Sequence, residues 1–328
     1  MHPTRRQILG CASAAAAVSA FPAAWGNEAY PNRAIRIISP YQAGGLVEIL
    51  ARTLGEKLQR SMGQPVIVEA KPGAGGNLGT SYVARAMRGD PYTLLMGASG
   101  PLAPSVTLYK NLGYDPLKDL TPITMVAATP LVLCVSASSS VQTFADLKAM
   151  LKATGASTNY SSAGAGTPQH LSVELMKQQL GVESTHVPYK GAAPAVTALI
   201  ANEVTFSIDH LVLVLPHIKS GRLRALGVTS PKRAPDLPEL ATLQESGLAG
   251  YEVRGWYGLL APADVPDAIV RKLNTESVNA LRQPDVIAKL ASVGSESVAG
   301  SPDEFRNLIS AEIVKWRDVI TKSRISVD

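Results

Sequence analysis

Short apolar runs alternate with small-residue loops and longer amphipathic stretches along most of this chain. Ala34–Ser39 is β-branched and reads as a strand, followed by the loop Pro40–Gly45. A helix follows, with Val47, Leu50, Ala51, Leu54 and Leu58 on one face and Gly63 as its stop. The same order repeats twice. Pro65–Glu69 reads as a strand, Pro72–Asn77 as a loop and Leu78–Met87 as a helix. Tyr92–Met96 reads as a strand, Gly97–Gly100 as a loop, and a short helical piece leads to Tyr109. Three strand–loop–helix units in a row imply a parallel sheet covered by helices.

The pattern resumes after a gap. Pro130–Ser136 reads as a strand crossing into a second domain, and Phe144–Ala153 as a helix. Strands are expected at Ser157–Ser161, His186–Tyr189, Val204–Ile208 and Ala225–Thr229, with a helix at Pro194–Ala201. Trp256–Leu260 is the candidate strand for the return crossing. Two helices close the chain at Ala268–Arg282 and Pro302–Lys322, the second with Phe305, Ile309, Ile313, Trp316 and Ile320 in one stripe. No sequence repeat of solenoid length is evident. The expected fold is α/β with two doubly wound domains around a central cleft, since ligands of such sheets bind beyond the carboxyl ends of the strands. The expected boundaries are 27–128 with 253–328 for the first domain and 129–252 for the second.

The segment Asn159–His170 is the most informative stretch. It has almost no charge and almost no bulk, and it ends with Thr167 at a helix N-cap position and Pro168 at the first helical position. Leu171, Glu174 and Leu175 continue an amphipathic run towards Gly181. Small residues ahead of a helix start leave N–H groups open to an anion, with the helix dipole behind them. A tight turn that only needs glycine would look the same. The recurrence of such loops along the chain favours the anion reading.

Charge and cysteine content narrow the classes. Residues 1–26 hold Arg5 and Arg6 and no acid, so the remaining chain has 29 Lys and Arg against 26 Asp and Glu, a net charge of about +3. This charge is small and dispersed, which speaks against a nucleic-acid partner. The leader has a basic n-region (Met1–Arg6), a short alanine-rich apolar stretch (Ile8–Ala20) and small residues before Asn27, as in an export signal. Thr4–Leu9 also resembles a twin-arginine signal. Cys11 stands at the start of the apolar stretch rather than after it, which argues against a lipid anchor. Its removal leaves Cys134, in an apolar run that suggests a buried inert thiol.

Enzymatic and cofactor motifs are missing. Gly73–Gly79 approaches a dinucleotide fingerprint, but the third glycine falls one residue late, and the strand Tyr92–Met96 ends without a ribose-binding acid. Gly97-Ala98-Ser99-Gly100-Pro101 lacks the last glycine of a nucleophile elbow. His170, His186, His210 and His217 show no metal-ligand spacing. Lys190 suits an exposed turn better than a Schiff base. Asp209 ends an apolar strand and reads as either a ligand contact or a cap for the next turn. No catalytic residue, metal or cofactor is expected.

Several motifs resemble the extracytoplasmic receptors of tripartite tricarboxylate transporters, also called Bug receptors. They include Tyr30-Pro31-x-Arg33-x-Ile35-Arg36-Ile37 with Gly44-Gly45, Pro72-Gly73-Ala74-Gly75-Gly76, and Leu108-Tyr109 with Tyr114-Asp115-Pro116. Ser162-x-Gly164-x-Gly166-Thr167-x-x-His170-Leu171, His186-Val187-Pro188-Tyr189-Lys190-Gly191 and the segment Pro216–Leu226 extend the match over nearly the whole mature chain. The resemblance implies a type II periplasmic binding fold that closes on a small carboxylate held by backbone N–H groups and hydroxyls. Carried over, the ligand positions are Tyr41, Gln42, Ala43, Gly44, Gly45, Asn77 and Ser99 from the first domain. From the second they are Ser162, Ala163, Gly164, Gly166, Thr167 and Asp209. Tyr41 stands where the family usually has Phe, and Glu48 where it usually has Asp, so ligand identity stays open.

The implied function is a non-enzymatic periplasmic receptor that acts as a monomer. It would pass a small organic carboxylate or amino acid to the membrane subunits of a tripartite transporter. Reporting it to a sensor kinase is the alternative. An enzyme using the same cleft would need a nucleophile–base pair, and none is visible in the sequence.

Overall fold

In a computed structural model that describes residues 30–327, ten strands form one mixed sheet. β1 (Ile35–Ser39), β2 (Val66–Ala70) and β3 (Thr93–Ala98) are mutually parallel, in the order β2-β1-β3. β4 (Leu120–Ser136) is a strand of 17 residues. β5 (Asn159–Ser162), β6 (Thr185–Pro188) and β7 (Phe206–His210) make a second parallel group, in the order β7-β5-β6. β8 (Leu223–Val228) and the two-residue β10 (Glu296–Ser297) both pair antiparallel with β4. β9 (Arg254–Pro262) lies antiparallel between β3 and β4.

The sheet is therefore not wholly parallel, as the alternation of strands and helices suggested. Two parallel groups are joined through antiparallel β4 and β9. The crossing strand is also longer than Pro130–Ser136. Leu120–Pro130 pairs with β9, and Leu131–Ser136 pairs with β7 and β8. Pro122 obscures the strand pattern in the sequence, and the register with β9 slips between Pro122 and Thr124 and again between Met125 and Ala127. Proline has no N–H to give a ladder, and a bulge accommodates it.

β4 is apolar on both faces because both faces are covered. Leu131, Leu133 and Val135 join the large core that also holds Ile38, Leu95, Tyr160, Phe206 and Trp316. Val132 and Cys134 point into a separate core with Val196, Leu199 and Val214. Cys134 is fully buried, and burial, helped by the neighbouring Asp209, pushes its thiol well above the usual range. A third core packs the helix Leu46–Met62 against β1 and β3 through Leu50, Leu54 and Leu58.

Helix ends follow the expected chemistry. Gly63 and Gly181 close their helices in the left-handed conformation, with φ of 73° and 63°. The helix Pro302–Lys322 starts with a capping box between Ser301 and Glu304 and buries the predicted stripe. Its Phe305 fills the space over Gly258 of β9, where a Cβ would stand 2.2 Å from the ring. Only glycine fits there.

Other segments differ from expectation. Asn77–Ser81 is α-helical and continues as a π-turn over Tyr82–Ala86. Two further helices, Leu211–Lys219 and Pro284–Ala291, form outside the expected elements; the first contains Pro216, and the second is short but buries Val286 and Leu290 four residues apart. The leader 1–26, with Cys11 and its cleavage region, lies outside the described residues.

Candidate ligand site

β1 and β3 deliver two of the predicted loops, and the segment after β2 the third. Tyr41 ties them together. A Cβ on Gly76 would stand 3.0 Å from the Tyr41 hydroxyl, and one on Gly100 3.8 Å from it. Burial pushes the Tyr41 phenol well up, and the neighbouring Tyr257 and Tyr109 add to the shift. Several neutral hydroxyls therefore share this corner. Asn77 is buried at the start of its helix, and its Oδ1 accepts from the Tyr114 hydroxyl at 3.0 Å. Ser99 is buried at the start of the Ser99–Leu102 turn.

The first loop already carries a protein anion. Glu48, in the first turn of the helix Leu46–Met62, accepts the Gly44 N–H at 2.5 Å and is paired with Arg52. The Gly44 N–H and then Arg52 hold this carboxyl below the usual range. The Gly44 amide is thus engaged by a side chain of its own helix. A carboxylate at a helix start is favourable for the same reason that a ligand anion would be.

The Ser162–Thr167 loop is held by its own bonds. Ser162 Oγ accepts from the Gly164 N–H at 3.1 Å, and Gly166 N–H donates to His170 Nδ1 at 3.0 Å. Thr167 caps the helix Pro168–Leu180 by accepting from the His170 N–H, while its hydroxyl donates to the Gly164 carbonyl at 2.7 Å. The Thr167 N–H also points to that carbonyl, at 3.4 Å. Gly164 and Gly166 have φ of 130° and 73°, a region that side chains disfavour. The amides of Gly164, Gly166 and Thr167 are therefore engaged inside the loop. Among the described residues, Ala163 and Ala165 are the loop positions whose N–H groups have no internal hydrogen bond. Gly166 also faces the other half of the molecule, since a Cβ there would stand 2.7 Å from Leu108 Cδ1.

Asp209 lies at the carboxyl end of β7, paired with Val132 of β4, and is 1 % exposed. Its Oδ1 accepts from the His210 N–H at 2.8 Å and from Gln169 Nε2 at 3.2 Å. Its Oδ2 is buried with no hydrogen-bond partner among the described residues. Burial raises this carboxyl to about 6, against the lowering effect of those two donors. Burial also lowers the adjoining His210 to about 4. Lys190, by contrast, is exposed.

The crossing strands link the two groups of loops. Tyr257 of β9 and Thr129 of β4 both face the Gly255 position, and the Thr129 hydroxyl donates to the Gly255 carbonyl at 3.4 Å. His210 closes on Gly255 from the other side. Gln169, Thr129, Tyr257 and His210 were missed by the motif reading. Tyr257 lies in the predicted return strand, and Thr129 at the predicted domain boundary, so topology alone offered a signal for both. A cavity of about 880 Å³ lined by Pro130, Lys232, Arg254 and Arg282 includes none of the predicted loop residues.

Residues 50–325 match the model of the tripartite tricarboxylate transporter family receptor, TctC. This chain belongs to that family. Protein BugT of Bordetella pertussis is 34 % identical over 317 residues, covering 96 % of each chain. Among solved structures, R. palustris Rpa4515 with adipate is 35 % identical with a TM-score of 0.77, covering 91 % of this chain and all of that one. MatC from Rhodopseudomonas palustris with bound malate is 31 % identical with a TM-score of 0.73, covering 89 % of this chain and all of that one. The receptor thus has the α/β periplasmic binding-protein fold, and it is a solute-binding protein rather than an enzyme.

Proposed function

We propose that this receptor captures a small organic carboxylate between its two groups of loops and hands it to membrane subunits of a tripartite transporter. The supporting observation is the donor set. The loops Tyr41–Gly45, Gly73–Asn77, Ala98–Gly100 and Ser161–Thr167 contain no Lys or Arg, yet they present hydroxyls and the unengaged amides of Ala163 and Ala165. Such a set holds an anion by short, directional hydrogen bonds and a helix N-terminus. Adipate in Rpa4515 and malate in MatC are ligands of this chemistry in structural relatives. Asp209 offers a second pole, suited to the ammonium group of an amino acid when ionised. When protonated, it suits a second carboxylate.

In this reading, segments 27–128 and 253–328 close against 129–252, with β4 and β9 as the hinge, and a ligand touching both sides favours the closed form. The protein works as a monomer in the periplasm after removal of its leader. A calorimetric panel of adipate, malate, glutamate, aspartate and benzoate tests the proposal, with scattering on each acid that binds. Binding of one acid per chain with a smaller radius of gyration is expected. Failure of all five acids, with binding of sugars or cations instead, would reject it.

A further inference from the structure

Two imidazoles hold the Ser162–Thr167 loop from beneath. His170, in the first turn of its helix, receives the Gly166 N–H on Nδ1 at 3.0 Å. His186, from β6, places Nε2 2.6 Å from the Ser162 hydroxyl, the same hydroxyl that accepts the Gly164 N–H. The two rings stack, with centroids 3.8 Å apart and planes within 9°. One ring therefore fixes each end of the loop, and the Ala163 and Ala165 amides lie between them.

We propose that the His170–His186 stack is a positioning device for the ligand loop, and that it holds the loop only while His170 is neutral. A nitrogen that accepts an N–H must present a lone pair. A proton on Nδ1 of His170 would set donor against donor at Gly166. It would also put a charge in contact with a second imidazole that can charge in turn.

The surroundings do not cancel such a charge. Glu174, on the same helix, accepts from the Tyr160 hydroxyl of β5 at 2.5 Å and from Lys177 at 2.7 Å. Lys177 is also 3.7 Å from Glu183, and Ser323, the C-cap of the C-terminal helix, helps to keep the Glu174 carboxyl low. Glu174, the carboxylate that acts on both imidazoles, is thus already shared. Tyr160 stacks on His186 at 5.0 Å and shields it further. Burial above all, with His186 and Lys177 adding to it and Glu174 opposing, lowers His170 to about 4. Burial lowers His186 too. With a lowered imidazole the neutral form belongs to the ordered loop. The hold is complete above the free value of 6.5 and is lost as pH falls towards about 4. The structural half stands alone. Its consequence, release of a carboxylate in acid, rests on the receptor reading above.

Nitrogen NMR of the mature chain without any acid tests the structural half, following the Gly166 amide from about pH 7.5 to about pH 4. In the natural protein its shift and hydrogen-exchange protection should change together with the His170 imidazole. His170→Asn, whose side-chain oxygen can replace Nδ1, should keep the amide protected and make it insensitive to pH. His170→Leu should leave it unprotected throughout. Calorimetry with adipate supplies the second half. His170→Leu should bind about five- to tenfold more weakly at neutral pH, the loss expected for one neutral hydrogen bond. His170→Asn should match the natural protein at neutral pH and exceed it in acid. Adipate and Asp209 titrate equally in both proteins, so the difference isolates the His170–His186 stack. A Gly166 amide indifferent to the His170 titration, or an Asn variant with the natural pH profile, would overturn the proposal. Failure of every acid of the panel to bind, with the expected NMR behaviour, would count against the receptor reading and leave the loop device standing.

Discussion

Gln169 donates to one oxygen of Asp209 at 3.2 Å, and the other oxygen is buried without a hydrogen-bond partner among the described residues. A carboxylate so placed has one oxygen fixed and one available. If the ligand carries an ammonium group, Asp209→Asn should weaken it by about 1–3 kcal/mol, the value of a charge-assisted hydrogen bond. Calorimetry with glutamate and aspartate checks this. Unchanged affinity for a bound amino acid would leave Asp209 a structural cap on His210.

The pH dependence follows from the same group. Burial raises Asp209 from 3.8 to about 6, so its neutral form favours the folded state. That contribution is complete below 3.8 and fades as pH rises through about 6. An amino-acid ligand needs the ionised form, so its affinity should fall as pH drops through about 6. A plain dicarboxylate prefers the protonated form, and its affinity should rise over the same interval until the acid itself protonates. Asp209→Asn should flatten either profile. An unflattened profile in that variant would place the titrating group elsewhere.

Salt should matter little. Hydrogen bonds from enclosed amides and hydroxyls are short-ranged, whereas exposed ion pairs are screened over about 8–10 Å at ordinary ionic strength. Affinity for the bound acid should change less than about threefold between low and physiological salt, by the weakness of screening at enclosed sites. Lys190→Ala should have a small effect, since Lys190 is exposed on its turn. A steep salt dependence together with a large Lys190 effect would mean that a lysine grips the acid.

The two loop glycines should fail differently. At Gly164 the nearest atom to a Cβ is Tyr189 O at 3.7 Å, so space is open and only the φ of 130° is strained. Gly164→Val should lose binding with a modest fall in melting temperature. At Gly166 the Cβ would meet Leu108 at 2.7 Å and Val327 at 3.1 Å. Gly166→Val should destabilise the fold by about 1–3 kcal/mol, as overpacking does. Leu108→Ala in the same chain should restore part of the loss. Equal thermal shifts for the two single variants, with no rescue by Leu108→Ala, would contradict this division.

Much of the fold is legible because its signals are local. Gly63, Thr167–Pro168, Gly181 and Ser301–Glu304 mark helix ends through chemistry confined to a few residues. β4 was half hidden because Pro122 and Pro130 interrupt the run Leu120–Ser136. The candidate site was legible as loops but not as hydrogen bonds. Glu48 on Gly44 and His170 on Gly166 depend on side chains folding back onto the loop, which spacing alone does not reveal. Tyr257 and Thr129 meet only because β4 and β9 pair, and Gln169 meets Asp209 across 40 residues of chain.

A crystal structure with a bound acid from the panel tests uncharged capture most directly. The expected result is a carboxylate within about 3 Å of the Ala163 and Ala165 amides. Hydroxyls from the Tyr41 corner should stand on the facing side, and no Lys or Arg should lie in contact. A carboxylate gripped by an arginine or lysine, or seated in the cavity lined by Lys232, Arg254 and Arg282, would contradict it.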